Sequence, residues 1–331
     1  MAAPGSARPP STTLAIIVVV FNMRREAPRT LHSLSAGYQL GVSPDDYEVI
    51  CIENGSTDPL SPDEVQRVGP NFRYVRIEDA SPSPAAAMNL GVARSHAPYV
   101  GLMIDGARIA SPGVVALALK TLQAFEPAVV ATIGFHLGPD RQYRSQANGY
   151  TRRVEDRLLA HLDWRHHGYR MFGHSSLSDS SSNGWFGPIS ESNLLFLPRR
   201  LFDDLHGYDE RFDLPGGGFV NLDFYRRACD VESATLITLL GEATFHQLHG
   251  GVASNQPETA LPELLKTYQN QYVRIRGVRL EASTRPPLLV GSVGPDALGA
   301  VTGSCDEVLR NATLWRRGQR AMRRLIGRVL L

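Results

Sequence analysis

Residues able to do chemistry fall in this chain at the ends of apolar runs. In Met103-Ile104-Asp105-Gly106-Ala107 one carboxylate stands beside a conformationally permissive glycine. Phe245-His246-Gln247-Leu248-His249-Gly250 closes a later apolar run with two imidazoles. The plainer reading of either histidine is a hydrogen-bonded structural residue near a strand end. Glu53-Asn54-Gly55-Ser56-Thr57-Asp58 places a carboxylate ahead of turn residues. Val20-Phe21-Asn22 ends the first run without a glycine-rich turn, so the GxGxxG fingerprint is missing and hydride transfer from a dinucleotide is disfavoured.

The elements that must position these residues read as alternating strands and helices. Strand-like stretches recur at 14–21, 47–53, 73–77, 99–104 and 128–133. Between them lie candidate helices at 26–37, 84–95 and 112–125, the second entered through Ser83 with Pro84 at its first position. This alternation predicts βαβ units and a mostly parallel sheet. The continuous apolar character of the first and fourth strands predicts helices covering both faces. Ligands of such sheets bind beyond the carboxyl ends of the strands, which is where the residues above fall.

From about Gln142 the texture changes. A charged helical piece at 151–161 leads into a Ser/Gly/His-rich stretch from His174 to Gly187, which reads as a long functional loop. A second helix–strand region follows (199–205, 222–229, 234–240), then a helix near 261–275, a Pro/Gly-rich linker and a basic end at 314–331. That end carries apolar residues at helical spacing with six arginines between them, which suits an anionic membrane surface or docking on the main domain or a second copy. Residues 1–13 read as a disordered leader, and the longest apolar run, 14–21, is too short to span a bilayer.

Lys plus Arg (34) nearly balances Asp plus Glu (33), so the composition does not point to a nucleic-acid partner. With 331 residues and 43% hydrophobic content the chain can bury a full core. Cys51, Cys229 and Cys305 are odd in number, far apart and in no CxxC arrangement, which argues against a disulfide framework or structural zinc and fits a reducing cytoplasm.

Taken in order, five pieces resemble the family 2 glycosyltransferases of the GT-A fold. They are the opening strand ending in Phe21-Asn22, the Glu53–Asp58 turn, the helix 84–93 with Asn89 and Gly91, Asp105, and Leu205-His206-Gly207-Tyr208-Asp209-Glu210-Arg211-Phe212. The resemblance covers roughly residues 14–251. It implies an α/β, GT-A-like domain at 14–255, with a nucleotide-binding half (14–135), an acceptor-binding half (136–255) and a helical C-terminal extension (256–331). It further implies transfer of a sugar from a nucleotide-diphosphate donor to a hydroxyl on a glycan, lipid-linked or small-molecule acceptor. Phe21, Asn22, Glu53, Asn54, Ser56, Asn89 and Asp105 would serve the donor, with Glu53 on the nucleoside and Asp105 helping to hold Mn²⁺ or Mg²⁺ on the diphosphate.

Two departures from the family pattern follow. Its Asp-x-Asp signature is incomplete because Ala107 takes the second position, so the ion would lean on Asp105, phosphates, water and an imidazole, His246 or His249. At the Glu-Asp pair that usually supplies the base stand Val220 and Asn221, and an amide cannot accept the proton. The nearest carboxylates are Asp223 and Glu191, of which Asp223 is preferred; its plainer role is an ion pair with the Arg226/Arg227 side. Pro215-Gly216-Gly217-Gly218 lacks the Lys-Ser/Thr of a nucleoside-triphosphate loop, and Gly217 and Gly218 read as backbone lining the acceptor cleft. Trp185 reads as a platform for a sugar face or as a loop anchor. A sugar nucleotidyltransferase and a non-catalytic sugar-binding relative are the rival readings.

Overall fold

The structure, a computed structural model, describes residues 12–252, 258–306 and 308–310. The leader expected at 1–13 is covered only at its last two residues, and the basic end at 314–331 lies outside the described residues.

The first half runs β1 (Leu14–Val20), α1 (Ala27–Ser33), β2 (Tyr47–Asn54), α2 (Pro62–Gln66), β3 (Phe72–Ile77), α3 (Ala85–Ala93), β4 (Tyr99–Met103), β5 (Arg108–Ala110), α4 (Val114–Ala124) and β6 (Ala128–Leu137). The second half adds α5 (Gln142–Ala147), α6 (Arg152–Leu162), β7 (Ser175–Leu177), β8 (Leu195–Pro198), α7 (Arg199–Asp204), α8 (Val220–Cys229), β9 (Thr235–His246), α9 (Leu261–Arg276) and β10 (Leu288–Gly291). The sheet order is β10-β9-β6-β8-β4-β1-β2-β3, with short β5 on β9 and short β7 on β6. Pairings β1/β2, β1/β4, β2/β3, β6/β9 and β9/β10 are parallel, whereas β8 is antiparallel to both neighbours.

The sequence of β1 explains its place at the centre. LAIIVVV is buried along its whole length, and successive side chains point to opposite faces. Ala15, Ile17 and Val19 join one core with Met88 and Val92 of α3 and Phe224 of α8. Leu14, Ile16, Val18 and Val20 join the other with Leu31 of α1 and Val115 and Leu122 of α4. Helices therefore cover both faces, and the result is the mostly parallel α/β sheet expected. Gly91 lets α3 lie close on the sheet, since a Cβ there would collide with Ile17.

Two stretches differ from their sequence readings. The Ser/Gly/His-rich stretch 174–187 is not one open loop: it contains β7 and single 3-10 turns, and the Ser181 hydroxyl accepts the Gly134 N–H at 2.9 Å. The Pro/Gly-rich segment after α9 is stitched to the domain. Its β10 pairs with β9, and Arg285 donates to the carbonyls of Cys229, the last residue of α8, and Val231 just after it. Residues 298–306 are helical. Among the described residues no helix is long and apolar enough to cross a membrane.

Candidate active site

Asp105 leaves the end of β4 in a turn held from three sides. The Gly106 N–H donates to the Val19 carbonyl at 2.9 Å, the Thr30 hydroxyl donates to the Gly106 carbonyl at 2.7 Å, and the Ala107 N–H donates to Asp105 Oδ1 at 3.1 Å. Only glycine fits at 106, because a Cβ would lie 2.6 Å from the Val19 carbonyl oxygen. The segment after β9 is fixed just as firmly. The Gln247 N–H donates to the Ala107 carbonyl at 2.9 Å, and the Leu248 N–H donates to Glu155 Oε2 at 2.8 Å.

These two anchored turns bring Asp105, His246 and His249 together. His246 Nε2 lies 3.0 Å from Asp105 Oδ2, His249 Nε2 lies 3.7 Å from Asp105 Oδ1, and the two Nε2 atoms are 3.0 Å apart. Among the described residues this is the one group of three or more such side chains with ligand atoms converging within 4.8 Å. Three donors facing a common point are what a divalent cation requires, so the residues fit the metal that the family resemblance implies. The two imidazoles add nitrogen to a site expected to be mainly oxygen. Arg108 Nε donates to Asp105 Oδ2 at 3.1 Å from the other side. Burial pushes the Asp105 carboxyl up, but His246, His249 and Arg108 outweigh it and hold the group well below the usual carboxylate range. His246 is lowered to about 4, by burial and then by Arg108, against the pull of Asp105. A hollow lined by Gln146, Tyr150, Thr151, Arg152 and Leu248 opens beside His249.

Neither Arg108 nor His136, whose Nδ1 lies 3.3 Å from His246 Nδ1, was singled out from the sequence. Register brings them in: Arg108 on β5 and His136 on β6 both stand opposite His246 on β9. The one local signal was a histidine late in the apolar run AVVATIGFHL.

The expected donor side folds into a self-bonded turn. Asn22, at φ +53°, accepts the Thr57 N–H at 2.9 Å through Oδ1, while its own N–H donates to the Ser56 hydroxyl at 2.7 Å. Ser56 in turn donates to Glu53 Oε1, and the Leu60 N–H donates to Glu53 Oε2 at 3.1 Å. Glu53 is fully buried, which raises its carboxyl above the ordinary range despite these donors. Glu53 thus shapes the turn, a correction to the direct nucleoside contact expected of it. The Asn54 amide is spent on the Ser81 carbonyl. Asn89 is likewise a clamp, donating to the Tyr208 carbonyl and accepting the Tyr208 N–H, both at 2.9 Å. Phe21 alone of this set presents a large surface, half exposed at the end of β1.

On the acceptor side the structure separates the two base candidates. Asp223 is fully buried, with Oδ1 accepting from Arg276 at 2.7 Å and Oδ2 from Arg276 and Arg227 at 2.7 and 2.9 Å. It joins α9 to α8, and the preference for it as base is corrected. Glu191 is half-buried, and Asn221 Nδ2 donates to its Oε2 at 2.8 Å, so this carboxylate sits against the side chain of Asn221. Tyr208 fixes that amide by donating to Asn221 Oδ1 at 3.1 Å. Glu191 also shares an edge with Asp105: Leu102 pairs with Leu195 in antiparallel β4 and β8, and Asp105 and Glu191 both lie beyond that pair on the same side. Trp185 is fully buried among Phe135 and Phe172, its indole N–H donating to the Glu242 carbonyl at 3.3 Å. It is a core anchor and no sugar platform. Gly217 is packed against Pro84 and Val220, and Gly218 against Tyr268 and Gln271; both have positive φ and shape the entry to α8.

Solved structures of TarS from S. aureus match the chain at low identity. TarS 1–349 in complex with UDP has a TM-score of 0.49 at 12% identity, over 80% of this chain and 74% of that one. TarS 1–349 in complex with UDP-GlcNAc gives 0.46 at 13%, over 80% and 75%, and the longer TarS chain 0.48 at 13%, over 79% and 44%. No curated protein matches the chain. The glycosyl transferase family 2 model matches residues 15–181, half of the chain, and spans the first two strand-end turns, Asp105 and His136. The chain belongs to glycosyl transferase family 2.

Proposed function

We propose that this protein transfers a sugar from a nucleotide-diphosphate donor to a hydroxyl acceptor with inversion, assisted by Mn²⁺ or Mg²⁺. The observation that carries the reading is the convergence of Asp105, His246 and His249 at the sheet edge where ligands of α/β folds bind. A bound dication would supply charge stabilisation to the departing diphosphate. Asp105, His246 and His249 would hold it, and the Val19, Thr30 and Gln247 hydrogen bonds keep two of these three from moving when the charge changes.

The chain's own residues do the rest. Phe21 offers its exposed ring to the nucleobase, beside the Asn22–Ser56–Thr57 turn. Glu191 takes the acceptor hydroxyl's proton as the new bond to the anomeric carbon forms and the bond from that carbon to the diphosphate oxygen breaks. Asn221 orients that carboxylate by donating to Oε2, leaving Oε1 without a protein partner among the described residues. Gly217, against Pro84 just before α3, and Gly218, against Tyr268, border the acceptor side.

The test is release of nucleoside diphosphate from a panel of nucleotide sugars, with Mn²⁺, Mg²⁺ or chelator. The expected result is metal-dependent release that Asp105→Asn reduces at least 100-fold. Wild-type rates in that variant would overturn the metal reading, and binding without turnover across donors and acceptors would favour a non-catalytic relative.

A further inference from the structure

We infer that His136 is a positioning residue for the metal site, acting through His246, and that cation binding fixes the tautomers of both rings. This rests on the reading of Asp105, His246 and His249 as metal ligands.

The argument is a count of protons and lone pairs. A neutral imidazole carries one N–H and one lone pair. His246 directs Nε2 at Asp105 Oδ2 and at His249 Nε2, each 3.0 Å away, so this is the atom that would face a cation. To offer a lone pair there, His246 must carry its proton on Nδ1. The ring is only 4% exposed, and a buried N–H needs an acceptor. The group that meets it is His136 Nδ1, at 3.3 Å. His136 can accept only with its own proton on Nε2. A cation at the site therefore specifies His246 Nδ1–H donating to His136 Nδ1.

Without a cation the opposite arrangement satisfies the same atoms. His246 Nε2–H then donates to Asp105 Oδ2, and His136 Nδ1–H donates to His246 Nδ1. Binding would reverse the direction of the hydrogen bond between the same two nitrogens, His136 Nδ1 and His246 Nδ1. The strands make this contact obligatory, since His136 and His246 are register partners in the parallel β6/β9 pair and their rings lie 5.4 Å apart between centroids. An outer acceptor of this kind usually changes metal affinity about 10- to 100-fold when removed.

The experiment titrates Mn²⁺ and Zn²⁺ into the wild type, His136→Phe and His136→Gln by calorimetry. Zn²⁺ titrations are also followed by ¹⁵N–¹H NMR of the histidine rings. Phenylalanine keeps the ring volume without an acceptor, and glutamine restores a carbonyl acceptor. We expect His136→Phe to bind at least tenfold more weakly, His136→Gln to recover most of that loss, and Zn²⁺ to move the wild-type His246 proton signal onto Nδ1. Equal affinities in all three proteins, or a His246 proton that stays on Nε2 with metal bound, would overturn the inference. Failure of the wild type to bind either ion, both alone and with a nucleoside diphosphate present, would instead overturn the metal reading beneath it.

Discussion

Glu191→Gln and Asp223→Asn should separate the base from the brace. Asp223 is fully buried and accepts three charge-assisted hydrogen bonds, two from Arg276 and one from Arg227. Asparagine would turn an N–H₂ toward one of the guanidinium groups and remove the charge that balances them. Breaking a buried pair by removing one partner costs about 3–5 kcal/mol. Arg227 and Arg276 retain some solvent contact, at 24% and 22% exposed, so the lower end applies. About 3 kcal/mol in a chain of this size lowers Tm by roughly 4 °C. Glutamine at 191 keeps an oxygen for the Asn221 amide, so its stability should change by less than about 0.5 kcal/mol. It cannot accept a proton, however, and kcat should fall about 100- to 10,000-fold. Thermal unfolding and steady-state nucleoside diphosphate release, measured on the same preparations, decide the matter. An Asp223→Asn variant that loses more than 100-fold in kcat per folded molecule while unfolding at the wild-type temperature would refute this assignment.

Phe21→Ala should weaken nucleoside diphosphate binding about tenfold, the scale of one lost base–aromatic stack, without lowering Tm. Calorimetric titration reads this directly, and unchanged affinity would remove Phe21 from the donor site. Glu242 gives a pH signature: it is buried and accepts hydrogen bonds from Ser111, the Gly113 N–H and Tyr169, yet burial still raises its carboxyl above the ordinary range. Because the folded value exceeds the unfolded one, near 4.3, stability is full below the unfolded pKa and is lost as pH rises through the folded pKa. Urea unfolding between pH 4 and 8 should therefore show Glu242→Gln gaining on the wild type as pH rises; a constant difference across that range would contradict the assignment.

What the sequence disclosed follows from how local each signal is. The apolar runs of β1, β2, β4 and β6 and the spacing of α3 and α4 are properties of neighbouring residues, so the α/β sheet was legible, although Pro84 proves to be the N-cap of α3 and not its first helical residue. The insertion of antiparallel β8 between β4 and β6, and the pairing of β10 with β9, are set by distant partners, and the second of these passed for a linker. The same division runs through the site. Asp105, His246 and His249 were found because their residue types stand at strand ends. His136 and Arg108 were not, because their meaning lies in the register of three strands. Trp185 and Asp223 misled for a related reason: an aromatic between glycines or a carboxylate at a helix start looks accessible until Phe172 covers one and Arg276, 53 residues onward, claims the other.

The missing second carboxylate also bears on how the site works. Where an Asp-x-Asp pair would bring two negative charges, this chain has Asp105 and Ala107, with the Arg108 guanidinium 3.1 Å from Asp105. As cation ligands the two imidazoles would bring no negative charge, and burial together with Arg108 lowers His246. The protein side of the site is therefore close to electroneutral, and it offers a dication nitrogen and oxygen ligands without the charge to match. A diphosphate supplies that charge. Cation and nucleotide should then each bind more tightly in the presence of the other, and by the same factor, since a coupling free energy between two ligands is reciprocal. On this account the loss of a carboxylate does not abolish the metal role. It ties occupancy of the metal site to the arrival of the donor.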